Sequence, residues 1–113
     1  MARVLHVHGM GVDVTRVLDH PCEAIPVSDR LPGDPSTRAL RAMTPRCPMG
    51  GVHAMAIAER SIPATRAEGR DAIAQNGGVR NLIVPPGCTI PTQTPTAALR
   101  AVVEEAKALA AAA

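Results

Sequence analysis

The apolar positions of this chain fall into short bursts punctuated by Gly and Pro, and four of these bursts have the length and β-branched character of strands. They are RVLHVH (residues 3–8), EAIPVSD (23–29), CPMGGV (47–52) and NLIVP (81–85). Helical spacing lies between and after them. GVDVTRVLDH (11–20) reads as a short helix, and Asp34 or Ser36 can cap another near residues 35–43. ATRAEGRDAIAQN (64–76) is helical and stops at Gly77-Gly78, a left-handed cap. The last helix is the best defined. Thr94 caps it, Pro95 occupies its first turn, and Leu99, Val102, Val103, Ala106, Leu109 and Ala110 recur at helical spacing before an Ala-rich end that is expected to fray. Pro26 lacks an amide hydrogen and weakens the pairing of the second strand.

Strands alternating with helices imply crossovers and a parallel sheet. Four βα units make either a small open α/β domain or half of a (βα)8 barrel, because a whole barrel needs about 250 residues. The pattern alone does not choose between the two.

The alternation also has a chemical consequence. His6 and His8 share one face of the first strand, at the end where α/β folds carry their sites. Cys88 lies in the turn just beyond the fourth strand, at the matching end. Zinc accepts imidazole nitrogen and thiolate sulfur, and a catalytic zinc commonly has three protein ligands and one open position. Paired histidines at a strand end are more often structural or solvated positions than ligands.

Composition narrows the partners. The 113 residues are 46% hydrophobic and 19% charged, globular proportions for a single domain, yet Phe, Tyr and Trp are all absent. The core must be built from aliphatic side chains and is thin. Eleven arginines and Lys107 give a net charge of +2, scattered rather than striped. Without a stacking platform, nucleic-acid binding is not expected. No apolar run reaches the ~20 residues of a membrane span. Three widely spaced cysteines, Cys22, Cys47 and Cys88, point to free or metal-ligating thiols in a reducing cytoplasm. Cys22 and Cys47 fall at strand beginnings and read as small core residues, and Met43, Met49 and Met55 as gap-fillers.

The segments LHVHG, IPVSDR, PMGGV and AIAQNGGVRNLIVPPGCTIPTQTPTAALRAVVEEAK resemble the C-terminal half of the uroporphyrinogen decarboxylase superfamily, which includes the corrinoid:thiol methyltransferases. The resemblance runs from Arg3 to about Lys107, and its most specific part is the final 40 residues or so. It implies (βα)4, half of a TIM (βα)8 barrel with parallel strands, as one partial domain spanning residues 1–113 and matching strands five to eight. A half barrel exposes two sheet edges, so a homodimer or a separate N-terminal half-barrel is the expected partner; a truncated gene product is the remaining explanation.

The methyltransferase branch holds zinc through His-x-Cys on its fifth strand and the Cys of a P-G-C turn after the eighth. His6 matches the His, His8 stands in place of the first Cys, and Cys88 matches the second. An imidazole there keeps a ligand but makes the site less anionic. The resemblance therefore implies zinc on His6, His8 and Cys88, with a corrinoid as methyl donor or acceptor and a small-molecule thiol as substrate. The decarboxylase branch, a carboxy-lyase of porphyrin biosynthesis, grips its substrate with arginines and an Asp that belong to the N-terminal half. Its characteristic His after the eighth strand has no counterpart either, because Cys88 occupies that region. A non-catalytic fragment or subunit is the alternative to the methyltransferase reading.

Asp29, in Ser28-Asp29-Arg30 at the end of the second strand, is expected either to orient substrate or a ligating imidazole, or to form a turn or an ion pair with Arg30, the simpler reading. Gly50-Gly51 either admits a ligand close to the backbone or turns the chain. His53 reads as a solvated loop residue rather than a fourth ligand, and Arg66, Arg70 and Arg80 as solvated charges.

Overall fold

The computed structural model describes all residues, Met1–Ala113. Its regular elements in chain order are a 3-10 turn at Val14–Val17, strand β1 (Ala24–Pro26), helix α1 (Thr37–Met43), strand β2 (Cys47–Met49), a second 3-10 turn at Ala56–Ala58, helix α2 (Ile62–Asn76) and helix α3 (Thr96–Ala112). β1 and β2 pair in parallel, with Ala24, Ile25 and Pro26 opposite Cys47, Pro48 and Met49.

The expectation of (βα)4, half of a TIM barrel, is not met. The sheet has two strands and the chain three α-helices, a small α/β arrangement. The first and fourth expected strands are extended segments that touch the sheet only through isolated parallel bridges: Val4 to Ala24, Val7 to Val27, Met49 to Ile83 and Val52 to Pro86. Proline explains the gaps. Leu5 donates to the Ala24 carbonyl at 3.0 Å and Val7 to that of Pro26 at 3.1 Å, but Pro26 has no N–H to return to the first segment, so the rung between the two bridges cannot form. Pro85 and Pro86 remove consecutive donors from the last segment in the same way.

The helix expected at residues 11–20 also shrinks, to the 3-10 turn at Val14–Val17. Val12, Val14 and Val17 are stiff at χ1 and poor helix formers, and Pro21 stops any extension. α1 begins where Ser36 accepts from the Ala39 amide at 3.1 Å. α2 starts at Ser61, whose hydroxyl accepts from Ala64, and ends on Gly77 at φ 81°. α3 starts two residues later than its apparent cap. Thr94 turns back on Pro91, its hydroxyl donating to that carbonyl at 2.7 Å, and Pro95 takes the cap position. The Ala-rich end is helical through Ala112.

Two apolar clusters fill the interior. Val14, Cys22, Ile25, Val27 and Leu40 form one, with Leu5 and Val7 packed against it from the first segment. Val52, Ile57, Ala98 and Val102 form the other, flanked by Ile62, Val84 and Ile90. Ala98, Ala101 and Val102 are the buried residues of α3, whereas Leu99 and Val103 are exposed. Small residues face inward because α3 lies close to α2. Arg66 and Arg70 are not free solvated charges: they clamp the two helices through Glu104 and Glu105 at 2.7 and 2.9 Å, surface pairs worth about 0–1 kcal/mol each.

Gly51 is where the sheet end meets α2. Its φ is +113°, and a Cβ there would stand 2.4 Å from the Ala72 Cβ. Replacing it with Ala (Gly51→Ala) combines a left-handed backbone penalty with overpacking, and is expected to lower unfolding free energy by about 2–4 kcal/mol. Urea denaturation followed by circular dichroism measures it, and a loss within error would mean the close approach is not enforced.

Candidate functional site

The period-2 alternation of the first segment is kept although its ladder is broken. Leu5 and Val7 turn toward the core, so His6 and His8 point the other way and are exposed. Their ring centroids stand 6.0 Å apart with planes inclined by 63°.

Cys88 reaches the same place from the far end of the chain. Gly87, just before it, donates its amide to the Val52 carbonyl at 3.1 Å. The turn presses so closely on β1's exit that a Cβ on Gly87 would lie 2.7 Å from both the Ser28 Cα and the Val27 carbonyl oxygen. The Ser28 hydroxyl donates to the Gly87 carbonyl at 3.4 Å. This packing sets the Cys88 Sγ 3.4 Å from the His8 Nδ1. One donor atom from each of His6, His8 and Cys88 lies within 4.8 Å of the others.

That geometry suits a metal. Two ligands of a tetrahedral zinc with bonds of 2.0–2.3 Å stand about 3.3–3.8 Å apart, the spacing already present between Cys88 and His8. His6 is the third donor, within 4.8 Å of the other two. Two imidazoles and a thiolate are a borderline-soft donor set that matches zinc, and three protein ligands leave a fourth position open.

A cavity of about 150 Å³ adjoins the cluster, with His8 and Cys88 forming part of its wall. Arg30 and His53 line it as well. The sequence reads His53 as a solvated loop residue and Arg30 as an ion-pair partner of Asp29, but both are half-buried and held by further contacts. The Arg30 Nε donates to the Gly51 carbonyl at 2.8 Å, its Nη1 to Asp71 at 2.6 Å and its Nη2 to the Glu68 carbonyl at 3.0 Å. The His53 Nδ1 accepts from the Ala56 amide at 3.2 Å, and its own amide donates to Glu68 at 3.0 Å.

Asp29 makes no hydrogen bond to either imidazole. It is buried, accepting from the Gly51 amide at 2.7 Å and from the Thr37 hydroxyl at 3.3 Å, with the Arg30 Nε 3.8 Å away. Its partners are backbone, hydroxyl and guanidinium, so it braces the sheet end beneath the site; the simpler reading, an ion pair with Arg30, is part of its environment. Cys22 is buried in the first cluster, Cys47 is half-buried at the start of β2, and all three thiols are free.

Comparison of the chain with protein-family models, with curated proteins and with solved structures finds no match. No helix is long and apolar enough to cross a membrane.

Burial raises the Asp29 pKa above its ordinary value, outweighing the Gly51 amide, Arg30 and Thr37, which all lower it. The folded protein thus holds this proton more tightly than the unfolded chain does. The carboxyl's contribution to stability is fully present below the ordinary Asp pKa and is lost as pH rises through the folded one. Asp29→Asn keeps an acceptor for Gly51 but cannot ionise. The stability of the native chain relative to Asp29→Asn should fall with rising pH between about pH 4 and 7. Urea titrations of both proteins across that range test the sign, and a difference that grows with pH would mean the hydrogen bonds outweigh desolvation.

Proposed function

We propose that this chain carries a zinc centre on His6, His8 and Cys88, and that the centre activates a small thiol for methyl transfer of the corrinoid-dependent kind. The observation that carries the reading is the convergence of the His6 and His8 imidazoles with the Cys88 thiol, 80 residues beyond His8, beside a cavity. The motif resemblance, LHVHG with PPGC, supplies the reaction class.

Zinc held there would lower the pKa of a bound thiol and fix its sulfur as a thiolate. In the transfer, a carbon–sulfur bond forms as the bond from the methyl group to its donor breaks, and the donor keeps the electron pair. The chain's own residues have simpler tasks. His6, His8 and Cys88 fill three positions and leave one for substrate. Asp29 and Arg30 keep the underlying loop ends in place, and the apolar cavity wall excludes water from the sulfur.

A carboxy-lyase reading fits less well, since it calls for cations to grip substrate carboxylates, and Arg30, at the cavity, is already tied to Gly51, Asp71 and Glu68. One observation favours a partner: Val4 and Ile83, on the two unpaired edge segments, are 56% and 48% exposed. A second copy or a separately encoded half is the occupant we propose for those edges. Three free thiols support a reducing, cytoplasmic compartment.

The test is metal content. Chain purified without metal and dialysed against zinc should retain about one ion per chain. Loading with Co2+ should give the sulfur-to-cobalt charge-transfer absorption of a thiolate ligand. Cys88→Ala should abolish that absorption, and His6→Ala or His8→Ala should weaken binding by about a hundredfold or more. Gly87→Ala touches no ligand, yet it forces the turn away from Ser28 and should weaken binding as well. Substoichiometric zinc, indifferent to Cys88, would end the catalytic reading.

A further inference from the structure

Given the proposed zinc centre, on which this reading rests, we infer that the His6–His8–Cys88 cluster is also a copper(I) site, and that copper(I) displaces zinc from it.

Donor number comes first. Two imidazoles and a thiolate converge here, and no further His, Cys, Asp or Glu joins the set. Zinc is almost always four-coordinate, so a three-residue set leaves it dependent on water or substrate for its last bond. Copper(I) is satisfied by three donors in a plane, and it is soft enough to favour a set containing thiolate. A planar ion also holds its ligands farther apart than a tetrahedral ion with equal bonds. Donor atoms spread over as much as 4.8 Å therefore have less far to close around copper(I).

Orientation decides between the two ions. Raw affinity for nitrogen and sulfur donors favours copper, so a protein keeps zinc only by fixing its ligands in zinc's geometry. That fixing comes from carboxylates or carbonyls that accept the second N–H of each ligating ring. Neither ring has such a partner here. The one hydrogen-bond contact of either imidazole joins the His8 Nδ1 to the Cys88 Sγ at 3.4 Å, inside the ligand set itself. Both histidines are exposed, and their own amides make no hydrogen bond. Nothing opposes the turn of the rings into a common plane with the sulfur.

The exchange moves no electron. Copper enters as Cu+, zinc leaves as Zn2+, and the Cys88 sulfur stays a thiolate throughout. Loss of zinc removes the open coordination position at which a thiol would be activated, so copper(I) regulates the centre by competition.

The experiment uses the full chain, zinc-loaded and free of oxygen, to which one equivalent of copper(I) is added as its acetonitrile complex. Zinc and copper are then counted in the filtrate and in the retained protein after ultrafiltration. About nine-tenths of the zinc should pass into the filtrate, as a preference of about a hundredfold requires, with about one copper retained per chain. Cys88→Ala should retain less than about a tenth as much copper. His8→Ala, at an exposed position, serves if that variant folds poorly, and Cys47→Ala, at the start of β2, should exchange like the native chain. Zinc that stays bound while copper passes into the filtrate overturns the inference and leaves the zinc centre standing. Copper retained equally by Cys88→Ala and His8→Ala overturns it as well. A chain that holds no zinc before copper is added overturns the zinc centre instead, and copper retention by that chain, lost in Cys88→Ala, still decides the copper site.

Discussion

Everything at the functional end of this fold depends on the Asp29 carboxylate. A buried carboxylate is tolerated only where donors replace its water, and here they come from separate parts of the chain: the Gly51 amide beyond β2 and the Thr37 hydroxyl at the start of α1. Arg30, adjacent in sequence, carries the linkage on to α2 through Glu68 and Asp71. The two-stranded sheet has three residue pairs and cannot by itself hold its ends. The knot does that, and the turn bearing Cys88 rests against its Val27–Ser28 side. Removing the Thr37 hydroxyl would leave a buried oxygen short of a donor, a cost of about 1–3 kcal/mol, a sizeable fraction of the stability of a domain this size.

A core without aromatic rings obtains its contacts from closeness rather than from bulk. Gly51 against Ala72, and Ala98 and Ala101 on the inner side of α3, let backbones approach where larger side chains would hold them apart. Dispersion falls steeply with separation, so close-packed small residues recover part of what missing rings would have supplied. The arrangement leaves little slack. A single added methyl group at Gly51 or Gly87 meets atoms already at contact distance.

The same closeness explains what the sequence made legible. α2 was readable from its period and its Gly77 cap, and the shared face of His6 and His8 from simple alternation, because both are local. The meeting of that face with Cys88 followed from parallel segments presenting equivalent ends together. Strand continuity was not readable, since apolar character at 3–8 and 81–85 says nothing about rungs that Pro26, Pro85 and Pro86 remove. The inner face of α3 was misjudged for a related reason: hydrophobicity ranks Leu99 and Val103 above Ala98 and Ala101, but the separation of α3 from α2 decides which of them fits. Asp29, Arg66 and Arg70 carry contacts to residues 8 to 39 positions away, which no local pattern encodes.

The ligand set sits on the least supported part of the molecule. His6 and His8 ride on a segment tied to β1 by two isolated bridges, and Cys88 follows a segment tied to the β2 side by two more. A metal bound by all three would close a loop of some 80 residues and hold the two edges together, so its binding energy would be drawn into folding. Stabilisation by a ligand that binds only the native state grows as the logarithm of its concentration over Kd. In a chain with a thin aliphatic core, that increment is comparable to the whole margin of stability. Site and fold are then one thermodynamic unit: the edge segments whose ladders proline interrupts are the ones a metal would join, and the first of them carries the imidazoles.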